Sequence, residues 1–144
     1  MREKLSIGTA QFGLDYGISN KKGRIGPGEA SAVLDSALEN GIIHIDTAPA
    51  YGDSERVIGA AIREKAGKFL VTTKITAQNR SEIFTSVQAS MARLGAARLY
   101  GVLSHDFVHF ESQIPTLAEL KSKGQISKFG VSLYFPHELE HILD

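Results

Sequence analysis

What most limits how this chain can fold is a repeat of form rather than of residues. Short apolar runs rich in β-branched residues stand at Leu5–Thr9, Ile42–Asp46, Phe69–Lys74, Leu99–Leu103 and Ser127–Ser132. They recur at intervals of about thirty residues, the length of one strand-plus-helix unit. Each run is short and apolar on both faces, which predicts buried parallel strands.

The stretches between the runs carry readable helix ends. Pro27 and Gly28 open a helix whose apolar side holds Val33, Leu34, Ala37 and Leu38, and Gly41 ends it. Asp53 or Ser54 can cap a second, with Val57, Ile58, Ala61 and Ile62 inside and a stop near Gly67. A third places Ile83, Val87, Met91 and Leu94 on one stripe before Gly95. A fourth carries Ile114, Leu117 and Leu120 and ends at Gly124, and a fifth starts at Pro136 with Leu139, Ile142 and Leu143. Strict alternation of strand and helix implies an α/β architecture: a parallel sheet with right-handed crossovers. A closed eight-unit barrel takes roughly 250 residues; this chain has 144.

Composition narrows the function classes. Lys plus Arg and Asp plus Glu number 16 each, so no net field draws the chain to nucleic acid or an anionic membrane. The basic cluster Lys21, Lys22 and Arg24 is expected to be solvated loop surface. With no cysteine, disulfides, thiolate metal sites and a cysteine nucleophile are excluded, and no metal site is assigned. The N-terminus lacks the apolar region of a signal peptide, and no stretch is long enough to span a bilayer. A soluble cytoplasmic protein is the expectation.

Four polar residues stand at or just past the ends of the strand-like runs: Asp46, Tyr51, Lys74 and His105. Side chains at the carboxyl ends of successive parallel strands converge on one face. Each has an ordinary explanation. Asp46 suits a turn or helix cap, Tyr51 a packed aromatic, and His105 a satisfied core imidazole. Lys74, closing an apolar strand, is harder to explain that way, since most lysines are solvated. Together they suit proton transfer. A phenol ordinarily titrates near 10, too high for efficient acid catalysis at neutral pH, and an adjacent ammonium favours its ionised form. A partly buried ammonium in turn needs a carboxylate. A neutral imidazole can donate to a carbonyl oxygen as negative charge develops there.

With these residues in view, the chain resembles the aldo-keto reductase family over nearly its whole length. The matching segments are Gly8-Thr9-Ala10, the block from Ile45 to Glu55 (Ile-Asp-Thr-Ala-Pro-Ala-Tyr-Gly-Asp-Ser-Glu), Thr72-Thr73-Lys74, Leu103-Ser104-His105 and Lys128-Phe129-Gly130-Val131-Ser132. The resemblance implies a TIM (β/α)8-barrel that binds NADPH and reduces an aldehyde or ketone. It implies Tyr51 as general acid, Lys74 and Asp46 as the residues that tune it, and His105 as the group that orients and polarises the carbonyl. It implies Ser132 as a partner of the nicotinamide carboxamide, with Thr9 and Ala10 close to the cofactor. A small carbonyl substrate is implied, a sugar-derived one among the candidates.

Two departures qualify the resemblance. Leu133 stands where many members have Asn after the serine matched by Ser132. The family's last three strands, with the nicotinamide-stacking aromatic and the residues that grip the adenosine phosphate, have no counterpart. Residues 1–144 therefore read as one partial barrel domain, an N-terminal portion of a reductase. Its first and fifth strands would present unpaired edges and invite self-association, and by itself it would bind NADPH weakly and turn over poorly. Two other readings remain: a Schiff-base lyase or aldolase with Lys74 as nucleophile, and a non-catalytic, cofactor-binding reductase-like subunit.

Overall fold

The computed structural model describes residues 5–65 and 67–143. Five strands, β1 (Ser6–Gly8), β2 (His44–Asp46), β3 (Leu70–Ile75), β4 (Leu99–Ser104) and β5 (Ile126–Val131), form one parallel sheet in the order β1-β2-β3-β4-β5. The helices are α1 (Ala10–Gly13), α2 (Pro27–Glu39), α3 (Ser54–Ile62), α4 (Arg80–Leu94), α5 (Phe107–Ser122) and α6 (Pro136–Leu143). Every strand leads to a helix, and each connection returns the chain to the neighbouring strand. This is the winding of a TIM barrel, here open, with five strands in place of a closed ring.

Register fixes which side chains share a face. Gly8 pairs with Asp46, Asp46 with Thr72, Thr72 with Gly101, and Ser104 with Val131. Because side chains alternate along a strand, Ile45, Val71, Ile75 and Val102 point to the helix layer, where they are buried. There they meet Leu34 of α2, Ile58 of α3, Ile83 and Val87 of α4, and Leu117 and Leu120 of α5, in one continuous apolar core. These are the helical apolar stripes read in the sequence. Val33 and Ile114 lie at the stripe margins, each 37% exposed, and the expected stripe of α6 is not covered: Leu139, Ile142 and Leu143 are exposed.

The other face of the sheet departs from the expectation of strands buried on both sides. Ser6, Gly8 and Lys128 are exposed and Thr72 is half-buried, because the helices cover one face only. The short helix α1 has no apolar period of its own and is absent from the sequence pattern. Neither Asp53 nor Ser54 caps α3 with its side chain. Asp53 instead meets Arg24 at 3.6 Å, and Ser54 turns inward. Among the described residues, no helix is long and apolar enough to cross a membrane.

Candidate active site

The site begins where β2 ends. Asp46 is the last residue of that strand, on the face that Ile45 does not use. The chain then runs through Thr47 and Ala48 into a single 3-10 turn, Pro49–Tyr51, which lifts Tyr51 over the carboxyl end of the sheet. Gly52, at φ 59°, turns the backbone into α3. That conformation is cheap only for glycine. The turn is braced by the first loop. A Cβ added to Gly13 would overlap the Tyr51 carbonyl oxygen and come within 2.6 Å of the Ser54 nitrogen. Only a bare backbone lets α1 lie this close to the turn that carries the phenol.

Lys74 lies within β3, one residue before its end, and is 6% exposed. Its Nζ donates to Asp46 Oδ1 at 2.6 Å, to the Thr47 carbonyl at 3.1 Å and to Tyr51 Oη at 3.2 Å. An ammonium has three protons, and here each has an acceptor. Burying such a charge is costly unless it is paired and fully hydrogen-bonded, and both conditions hold. The same nitrogen stands 4.9 Å from the centre of the Tyr51 ring. The phenol and amine that the sequence analysis needed as neighbours are in hydrogen-bond contact.

His105 follows β4, its backbone N–H bound to the Ile75 carbonyl at 2.8 Å. Its ring meets the Tyr51 ring edge to face, with centroids 6.2 Å apart. Asp46, Tyr51, Lys74 and His105 thus gather at the carboxyl ends of β2, β3 and β4. Ser132 follows β5, its N–H bound to the Ser104 carbonyl at 2.9 Å. It lies at the same end of the sheet, on the strand beyond His105.

Beside this group is a cavity of ≈ 410 Å³ lined by Gly8, Thr9, Ala10, Gln11, Tyr16, Asp46 and Tyr51. Thr9 and Ala10 are therefore at the site, yet the Thr9 hydroxyl is already spent. It donates to the Asp46 carbonyl at 2.8 Å and is fully buried. Ser54 Oγ lies 2.9 Å from Thr9 Oγ1 and 3.1 Å from Thr47 Oγ1, so three buried hydroxyls form a chain beneath the Asp46–Thr47 backbone. Gln11 and Tyr16 also line the cavity. Gln11 lies in α1, too short to show a period, and Tyr16 in the loop after it, so no sequence signal marked them. A larger hollow of ≈ 750 Å³ runs between α3 and α4, with Arg56, Arg63, Arg98, Phe69 and Tyr100 among its walls. It contains none of the acid–phenol–amine set, so size is a poorer guide here than chemistry.

Comparison with known proteins finds one family. Residues 4–144 match the family model described as "Aldo/keto reductase family". Aldo-keto reductase YhdN of Bacillus subtilis is 34% identical over 122 residues, covering 73% of this chain and 37% of that protein. D-arabinose 1-dehydrogenase of Saccharomyces cerevisiae is 34% identical over 119 residues, covering 71% and 36%. Among solved structures, an aldo-keto reductase from Klebsiella pneumoniae in complex with NADPH superimposes with a TM-score of 0.75 at 21% identity, over 96% of this chain and 48% of that one. That last likeness speaks for the fold alone. The chain spans less than half the length of each of these relatives.

Proposed function

The chain belongs to the aldo/keto reductase family, and on that premise we propose that it carries the proton-handling part of an enzyme that reduces an aldehyde or ketone to an alcohol. In this reading Tyr51 gives its phenolic proton to the carbonyl oxygen. Lys74, held by Asp46 and the Thr47 carbonyl, places a positive charge 3.2 Å from the oxygen that must become anionic. His105, whose ring meets the Tyr51 ring edge to face, donates to the same carbonyl oxygen as charge builds on it. The observation that carries the reading is the contact of Lys74 Nζ with Asp46 and Tyr51 together.

NADPH, when bound, supplies the hydride. The residues present suit its nicotinamide end. Gly8 has open space where a Cβ would stand, and Thr9 and Ala10 form one wall of the cavity beside Tyr51. Ser132, at the same end of the sheet, is the proposed partner of the carboxamide. The name of the yeast relative, a sugar dehydrogenase, favours a sugar-derived carbonyl as substrate. The three acceptors around Lys74 argue against a Schiff-base role, because a nucleophilic lysine must be neutral.

Tyr51→Phe removes the proton donor and keeps the ring. In a protein that carries the whole barrel, carbonyl-dependent oxidation of NADPH should fall by about 100-fold or more, while cofactor binding measured by fluorescence titration holds. Turnover retained in Tyr51→Phe would end the assignment.

A further inference from the structure

Glu55 is among the most deeply buried charged residues in the molecule, at 1% exposure, and the chemistry above makes no use of it. Its two carboxylate oxygens are both engaged. Oε1 accepts from Thr73 Oγ1 at 2.6 Å, and Oε2 accepts from Arg93 Nε at 2.6 Å. Arg93 also donates through Nη2 to Ser90 Oγ at 3.2 Å. One carboxylate therefore joins three elements: the first turn of α3, the middle of β3 and the last turn of α4.

What distinguishes this network is where its ends lie. Tyr51 and Glu55 are four residues apart, at the entry to α3. Lys74 and Thr73 are adjacent on β3 and point to opposite faces of the sheet. On the open face Lys74 Nζ meets Tyr51 Oη at 3.2 Å; on the helix-covered face Thr73 Oγ1 meets Glu55 Oε1 at 2.6 Å. The same two segments are thus tied twice, once on each side of the sheet. The phenol–amine contact is exposed to solvent at its rim. The hydroxyl–carboxylate contact is buried, charge-assisted and short, hence the stiffer of the two.

We infer that Glu55 is a positioning residue: through Thr73 it fixes β3 against the entry to α3 and so sets the separation of Lys74 and Tyr51. The inference rests on the reading of that pair as the proton-handling groups, but its test does not require turnover. Arg93 keeps the Glu55 charge compensated when Thr73 is changed, so Thr73→Val cuts the link to β3 without stranding a buried anion.

In the full chain, the rate at which a small amine-directed acylating reagent labels Lys74, read by mass spectrometry, should rise about five- to tenfold in Thr73→Val and return in Thr73→Ser. Leu117→Val, a core variant in α5 that lowers thermal stability without touching this network, should leave Lys74 as protected as in the parent. In the same Thr73→Val protein, kcat for carbonyl reduction should fall about tenfold while KM for NADPH holds. Equal labelling of Lys74 in Thr73→Val and Leu117→Val would reduce Glu55 to a purely structural residue and overturn the inference. Labelling that follows the expected pattern in a chain without carbonyl reductase activity would uphold the positioning role and remove the reductase reading instead.

Discussion

The corner where β1, α1 and the start of α3 meet and the corner where β5 and α6 meet are held by opposite means. At the first, contacts are polar, buried and without slack. The Thr9, Thr47 and Ser54 hydroxyls form a chain with no exposure, and Gly13 leaves no room for a β-carbon. At the second, large apolar side chains face solvent. Tyr134, Phe135, Leu139 and Leu143 are all exposed, Leu143 at 76%. The one buried residue of α6 is Glu138, whose carboxylate accepts from the Tyr134 and Phe135 backbone N–H groups at 2.7 and 3.1 Å. A further tie is the exposed pairing of His141 with Glu111 at 3.2 Å. The difference shows which part of the molecule defines the site. Tyr51 hangs on the first corner, and none of its contacts reaches the second.

The sharpest way to break this contrast is Gly13→Ala. One added methyl would meet the Tyr51 carbonyl and the Ser54 amide, both backbone, so the turn must move. We expect a loss of about 3 kcal/mol or more, seen in thermal melts, together with loss of activity. Gly28→Ala, where a Cβ meets nothing within 4 Å, should be neutral or slightly stabilising by comparison. Next in size is Ser54→Ala, which deletes the middle of the hydroxyl chain and leaves the buried Thr47 hydroxyl without its partner. A loss of about 1–3 kcal/mol is expected from denaturant unfolding.

The smallest effect belongs to the second corner. The Tyr134 amide, and then the Phe135 amide, hold the Glu138 carboxyl below its ordinary value of 4.5, against the opposing push of burial. A group depressed on folding contributes stability in full above its unfolded value and loses it as pH falls through the folded one. The melting difference between the parent and Glu138→Gln should therefore be greatest near neutrality and close progressively below pH 4.5. A gap that persists in acid would show that the carboxylate charge is not what fastens α6.

The fold was legible to the extent that it is written in period. The five strands and five longer helices each show a local apolar repeat, and each lies within a few residues of its expected place, apart from an earlier start for α5 at Phe107. Helix α1 was not legible because four residues cannot display a period. The proposed site was legible because Asp46, Tyr51, Lys74 and His105 each stand near or just past the end of a strand, and strands of one parallel sheet end on one side. Glu55 was visible only as part of a motif. Its partners lie 18 and 38 residues further on, and nothing in its own neighbourhood says that it is buried. The Thr9 hydroxyl was likewise hidden: that it serves the Asp46 backbone depends on the close approach of two loops.

Strand order in this sheet is identical to chain order. Among the described strands, each one after the first finds the neighbour it follows already made as it leaves the ribosome. Loop closures stay near thirty residues, which keeps their entropic cost low. Because the phenol, amine, carboxylate and imidazole all lie between residues 46 and 105, their assembly is complete once the fourth strand docks. The proposed site is thus assembled before the fifth strand joins the sheet.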